Sequence, residues 1–339
     1  MTQPSNRRVV LARIPTGTPE PGDFILVDEP RRTPGAGELL LRTIWLSMDP
    51  YQRNWMAGAR SYGTAAAPGA TVIGRAVSEV VLSNDPGFVA GDIVCGETGW
   101  QTSPVVSADV VEAVDASLAP ISTALGVLGS PGLTAWVGML DAGKPARGET
   151  VVVSAAAGAV GSVAGQIARI MGARVVGVAG DPAKCLHVVE ELRFDACVSH
   201  RGPDVDAALA RECPDGVDVY FDNTGGPVTD AVYRRLSRDA RIALCGLVAE
   251  YGADDARGHD LRPLLACQAT LTAFSVRRHL RRMPDWRRQA SSWMREGALV
   301  YREDVLQGIE RAPEAFARML AGRTLGKALV QVAEAPSRR

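Results

Sequence analysis

The chain has few of the features that mark export, membrane insertion or metal binding. No window approaches about 18 uninterrupted apolar residues, the length read as a membrane-spanning helix, so no membrane partner is expected. Residues Met1–Arg8 lack the apolar core of a signal peptide, and a cytosolic setting is the expectation. Neither sign of charge dominates. With 37 basic and 38 acidic residues the net charge is −1, which argues against a nucleic-acid partner. The six cysteines (Cys95, Cys185, Cys197, Cys213, Cys245 and Cys267) contain no C-x-x-C pair, so neither a zinc ribbon nor a redox dithiol is indicated. Only four histidines occur, His187, His200, His259 and His279, and none begins a ligand-spaced cluster. Aromatic residues are sparse at 5%, but 46% hydrophobic content over 339 residues is enough for two domains with full cores.

What is present centres on Val151–Gly165. The β-branched run Val151–Val153 ends in small residues and the turn Ala156-Ala157-Gly158-Ala159-Val160-Gly161. An apolar-periodic segment through Ile167 and Ile170 follows, then a second β-branched run at Arg174–Val178. Strand, tight turn, helix and strand form the unit that holds a dinucleotide pyrophosphate at a helix N-terminus. Ala156 replaces the first glycine of the usual G-x-G-x-x-G, so the turn alone could equally be close helix–strand packing; the flanking elements favour the nucleotide reading.

Residues 1 to about 125 read as all-β: Leu39–Trp45, Val77–Leu82, Ile93–Cys95 and Val105–Val106 alternate with Gly, Pro and Asp turn signals. From 126 to 298, β-rich runs alternate with helical patterns, at Val151–Ser154, Arg174–Val178, Ala196–Val198, Val217–Phe221, Arg241–Cys245 and Thr270–Phe274. Such alternation predicts a doubly wound parallel sheet, an α/β Rossmann domain. Asp181-Pro182 and Asp204 are helix-start signals. Gly326–Val332 reads as a strand, so 299–339 is expected to complete the first domain.

The tip of the second nucleotide strand bears on the cofactor. Gly180 leaves room for a ribose 2′-phosphate and Lys184 can neutralise it, whereas Asp181 would repel it. NADPH is the favoured reading.

Five motifs occur in order: Leu46–Arg53, Gly129–Trp136, Gly158–Gly161, Phe221–Gly226 and Cys245–Tyr251. Together they resemble the zinc-independent medium-chain dehydrogenase/reductases, in the branch of prostaglandin, alkenal double-bond and curcumin reductases, from about residue 7 to 332. The resemblance implies a GroES-like β domain plus a Rossmann domain, an active site in the cleft between them, a homodimer, and NADPH-dependent reduction of a C=C bond conjugated to a carbonyl. Carried over by position, Gly158, Ala159, Val160 and Gly161 would hold the pyrophosphate. Gly180, Lys184 and His200 would surround the 2′-phosphate. Thr134, Asn223, Cys245, Gly246, Leu247, Tyr251, Phe274 and Val276 would line the rest of the cofactor. Thr324 stands where the family commonly has an Asn that touches the cofactor. Gly74-Arg75-Ala76 stands where zinc relatives carry Gly-His-Glu.

Without a metal, conjugate hydride addition needs a hydrogen-bond donor for the enolate oxygen and a route for a proton. A phenol of pKa about 10 stays protonated at neutral pH and can donate. Tyr251, at the carboxyl edge of the expected sheet, is the first candidate, against the plain alternative of an exposed loop tyrosine. Tyr62, in a Gly/Ala-rich loop, is the second. Tyr51 is a pocket candidate that also suits buried packing, and Asp49 with Arg53 could form a structural clamp. The arginine-rich stretch Arg277–Arg288 suits a solvated helix face, with Arg277 the candidate to meet an acidic substrate group. Quinone reduction competes within enzymes, and a non-catalytic NADPH-binding sensor competes from another class.

Overall fold

The computed structural model describes residues 5–57, 66–251 and 258–336. It divides into two compact units, Met1–Leu125 with Glu303–Arg339, and Gly126–Arg302. The first opens with an antiparallel ribbon of β1 (Ser5–Leu11) and β2 (Phe24–Pro30). Strands β3 (Glu38–Ser47), β4 (Arg75–Ser83), β5 (Ile93–Glu97), β6 (Val105–Ser107) and β7 (Val111–Ala113) follow, antiparallel to their neighbours. An all-β reading of this segment is corrected by helix α1 (Tyr51–Met56), which buries Gln52, Trp55 and Met56. Pro50, at φ −60°, already has helical geometry and starts the turn, and six residues are too few to show a period. The buried Trp100 ring lies 5.9 Å from Phe24 and 5.6 Å from Phe316, centroid to centroid.

The second unit starts with α2 (Ser130–Val137) and a π-helical run, Gly138–Gly143. Its strands are β8 (Thr150–Ser154), β9 (Arg174–Ala179), β10 (Ala196–Ser199), β11 (Val217–Asp222), β12 (Leu236–Leu244) and β13 (Thr270–Ala273). All pair in parallel, in the order β10-β9-β8-β11-β12-β13. Val151, Val152 and Val153 are each fully buried because helices cover both faces, which is why β8 reads as an unbroken β-branched run. Helix α3 (Gly161–Ile170) follows β8 directly. Helices α4 (Pro182–Glu190), α5 (Val205–Glu212), α6 (Gly226–Tyr233), α7 (Arg262–Cys267) and α8 (Met283–Arg295) complete the unit. Asp181 caps α4 through Lys184 N at 3.0 Å, and Asp204 caps α5 through Ala207 N at 2.9 Å.

The chain then returns to the first unit. Strand β14 (Glu303–Gln307), helix α9 (Ala312–Leu320) and strand β15 (Lys327–Gln331) complete a seven-stranded sheet in which β15 lies between β14 and β3. This is the expected architecture, a GroES-like β unit with a Rossmann unit. Strand order in the second sheet reverses between β8 and β11, the switch point where nucleotides bind in such sheets.

Candidate active site

The loop after β8 sits at that switch point. Ala155 takes φ +50°, a rare conformation for a residue with a Cβ, and turns the chain sharply out of the strand. Gly158 N closes the turn on Ala155 O at 2.9 Å. A Cβ on Gly161 would strike Ala155 O and lie 3.1 Å from Ala156 Cα, so helix α3 can start this close to the strand only with glycine there. At the start of α3, Ser162 N donates to Gly158 O at 3.0 Å and Ala164 N to Val160 O at 2.9 Å, and the turn sets this helix N-terminus at the end of β8, the placement that suits a pyrophosphate. Gly158, Ala159 and Val160 lie between β8 and α3, and Gly161 is the first residue of the helix.

Gly180 is buried at the end of β9, with space where a Cβ would be 3.5 Å from His200 Nε2 and 3.7 Å from Arg201 Cζ. Lys184 projects from the first turn of α4. Desolvation, then the charges of Arg201 and Lys184, lower the His200 pKa, so its imidazole is neutral at pH 7 while two cations flank it. Asp181, which seemed to oppose a phosphate, is occupied as the α4 cap. Arg201 went unnoticed in the sequence, although it directly follows His200.

The ends of β8, β11 and β12 are tied by a buried aspartate, through its carboxylate and its backbone carbonyl, that the sequence reading also missed. Asp222 has no exposed surface. Its Oδ1 accepts from Ser154 Oγ (3.2 Å), Tyr220 Oη (3.0 Å), Thr224 N (2.9 Å) and Gly225 N (3.0 Å), and Oδ2 from Thr229 Oγ1 (2.7 Å). Its backbone carbonyl accepts from Cys245 N at 2.8 Å and Gly246 N at 3.1 Å. Asn223 is anchored by its own amide, which donates to Ser154 O at 2.7 Å.

The Cys245–Tyr251 segment leaves β12 after Leu244, one residue earlier than expected, and packs on the turn after β11. Val248 N and Ala249 N donate to Asn223 O and Thr224 O at 3.3 and 2.9 Å. Glu250 Oε1 accepts from Gly226 N at 2.9 Å. Gly225, at φ +68°, leaves the space this carboxylate fills; a Cβ there would also meet Leu247 Cδ2 at 2.8 Å. Tyr251 Oη accepts a long hydrogen bond from Leu247 N, at 3.5 Å, and lies against Gly246. Burial and then Asp222 push the Cys245 thiol up to about 12, so it is inert as a nucleophile.

Other expected residues are less closely engaged. Thr134 Oγ1 donates to Ser130 O within α2 at 2.7 Å. Phe274 packs its ring on Phe221, 6.2 Å between centroids, and Val276 begins the 3-10 turn Val276–Arg282 in which Arg277 is exposed. Thr324 belongs to the first unit, half-buried ahead of β15. Tyr62 lies outside the described residues. In the first unit Tyr51 donates to Glu97 Oε1 at 2.7 Å, and burial, Glu97 and Asp49 hold its phenol well above the ordinary value. The expected Asp49–Arg53 clamp is corrected: Asp49 pairs with Lys327 Nζ at 2.7 Å, and Arg53 Nε donates to Gly17 O at 2.9 Å. Arg75 Nη2 lies 3.4 Å from Cys95 Sγ and 3.3 Å from Glu112, a cation among groups that would otherwise suit a metal. Among the described residues no three His, Cys, Asp or Glu side chains are grouped to hold a metal ion.

A doubly wound nucleotide-type unit joined to a GroES-like unit is the architecture of the medium-chain dehydrogenase/reductases. Family models described as "N-terminal domain of oxidoreductase" and "Zinc-binding dehydrogenase" match residues 7–114 and 159–296. The chain belongs to this family, in the branch its motifs resemble. It is 43% identical over 336 residues to the NADPH-dependent curcumin reductase of Escherichia coli K12, covering 97% of each chain. To the 2-alkenal reductase (NADP(+)-dependent) of Nicotiana tabacum it is 36% identical over 335 residues, covering 97% of this chain and 98% of that protein. The crystal structure of CurA in complex with NADPH from Vibrio vulnificus superposes with a TM-score of 0.91 at 38% identity, covering 97% of this chain and 100% of that one.

Proposed function

We propose that the protein is an NADPH-dependent reductase of the C=C bond in α,β-unsaturated aldehydes and ketones. The observation that carries this reading is similarity along nearly the whole chain to reductases named for NADPH and for conjugated carbonyl substrates. The chain's own residues fit the cofactor: the glycine turn and helix N-terminus at Gly161 for the pyrophosphate, and Gly180 beside His200 and Arg201, with the Lys184 charge acting on His200, for the 2′-phosphate.

When bound, NADPH supplies a hydride to the substrate β-carbon. The chain must then meet the negative charge that moves to the carbonyl oxygen. Tyr251 is the donor we assign. Its oxygen accepts from Leu247 N, which orients the phenol, and a phenol is acidic enough to donate to an enolate. Tyr51 is a pocket residue whose proton is already engaged by Glu97. Tyr62 and Arg277 remain assigned to the substrate pocket, and the 126–298 and 1–125 plus 299–339 segments to cofactor and substrate binding.

The protein acts in the cytosol as a homodimer. No described helix is long and apolar enough to cross a membrane, and none of the six cysteines is in a disulfide, which suits a reducing compartment. Strand β13 is the open edge of its sheet with all four residues exposed, and α7 exposes Leu265 at 82%, an apolar edge suited to a second copy.

The test is NADPH oxidation against alkenals, enones and quinones with product analysis. Saturated carbonyl products are expected, and Tyr251→Phe should lower kcat about tenfold or more with NADPH affinity unchanged. Alcohol products, or turnover of quinones alone, would overturn the reading.

A further inference from the structure

His259 lies between two carboxylates from different elements. Its Nδ1 is 2.7 Å from Asp230 Oδ1 on α6, and its Nε2 is 3.2 Å from Glu250 Oε1. The ring packs edge-on against Tyr233, 5.7 Å between centroids, and is mostly buried. Glu250 is the residue before Tyr251 and the one whose carboxylate seats the Cys245–Tyr251 segment on Gly226 N. A neutral imidazole can donate from only one nitrogen, so it can serve only one of the two carboxylates. A protonated one donates to both.

We infer that His259 is a positioning residue for the reduction: as an imidazolium it ties Glu250 to Asp230, and this holds the segment that presents Tyr251. The inference rests on the role proposed for Tyr251. Asp230 and Tyr233 from α6 and Glu250 from the segment are the titratable groups that face the ring; the neighbouring Asp260 is engaged by Arg262. Burial alone would lower the pKa of the imidazole, but the hydrogen bonds and charges of Asp230 and Glu250 outweigh it and raise it. The contribution is therefore present below the ordinary histidine value and lost as pH rises through the raised one. At high pH the shorter bond to Asp230 keeps the remaining proton, and the Nε2 lone pair then faces Glu250.

The kcat–pH profile should step down about tenfold as pH rises through that value, the lower end of the size expected for one charge-assisted hydrogen bond. His259→Gln should remove the step and hold kcat at the lower plateau. Glu250→Gln keeps an acceptor for Gly226 N and should move the step towards acid. Hydrogen exchange of the Val248 and Ala249 amides should accelerate over the same pH range in the parent and be pH-flat in His259→Gln beyond the intrinsic base catalysis. A step that survives His259→Gln, or exchange that ignores the imidazole, overturns the inference. If exchange follows His259 but Tyr251→Phe leaves kcat unchanged, the role of Tyr251 fails and the clamp stands.

Discussion

Asp222 offers the sharpest test of how the site is held. Asp222→Ala removes the acceptor of five donors at a residue with no exposed surface. Three are hydroxyls with fallbacks: Tyr220 Oη and Thr229 Oγ1 are 3.0 Å apart and can pair, and Ser154 Oγ is 3.5 Å from Phe221 O. The backbone N–H groups of Thr224 and Gly225 have no comparable fallback. At roughly 1–3 kcal/mol for each buried group left unsatisfied, and less for those that re-pair, the loss is about 4 kcal/mol. Asp222→Asn behaves differently. Its retained oxygen can keep the four donors now on Oδ1, and its new NH₂ can donate to Thr229, whose hydroxyl rotates to accept; the cost is about 1.5 kcal/mol. For a unit of this size these figures correspond to Tm losses of about 8–16 °C and 3–6 °C. Thermal unfolding followed by near-UV circular dichroism reads both, and NADPH KM should rise in the alanine variant because Thr224 and Gly225, which follow Asn223, lose their anchor. Equal losses in the two variants, or an alanine loss under about 3 °C, would refute the donor count as the source of stability.

Around Gly180, Lys184→Ala and Arg201→Ala should each raise the Kd for NADPH about tenfold and leave that for NADH unchanged, measured by fluorescence titration. An equal loss for both nucleotides would place the two cations away from the 2′-phosphate. Glu303 is half-buried with Oε1 lacking a hydrogen-bond partner among the described residues, and burial raises its carboxyl pKa despite Ser122 and Lys327. The folded state thus holds this proton more tightly than the unfolded state, a contribution present at acid pH and lost as pH rises through the raised value. Glu303→Gln should accordingly raise Tm at pH 7 relative to the parent, with the gain disappearing near pH 4; a loss at pH 7 would show that the Lys327 charge outweighs burial.

The parts legible in the sequence are those whose cause is local. Strand β8 and its turn show because a strand buried on both faces must be apolar throughout, and because Gly161 is required by the approach of a single carbonyl. The caps Asp181 and Asp204 show because a cap is a three-residue event. Lys184 was legible beside Gly180 at the tip of the second strand and His200 came with the family pattern, whereas Arg201 needed the end of β10 to be located before its direction had meaning. The Asp222 network joins residues up to 69 apart with their neighbours, and only the polar ends of the apolar runs at Ser154 and Asp222 hinted at it. His259 lies 29 residues from Asp230, and no spacing rule links them. Helix α1 was missed because one turn and a half carries no period.

Strand β15 has a consequence for the order in which the molecule is made. It fills the place between β14 and β3, and Lys327 meets Asp49 across 278 residues of sequence. At a synthesis rate of about 5–20 residues per second, the β3 edge waits for its partner for tens of seconds. Throughout that interval the buried side of Asp49 has no counter-charge and a strand edge is open to stray pairing. The nucleotide-type unit, continuous in sequence, can finish folding meanwhile. Emergence of β15 from the ribosome therefore sets when the β3 edge becomes safe from stray pairing, so a strand made early is among the last to be secured.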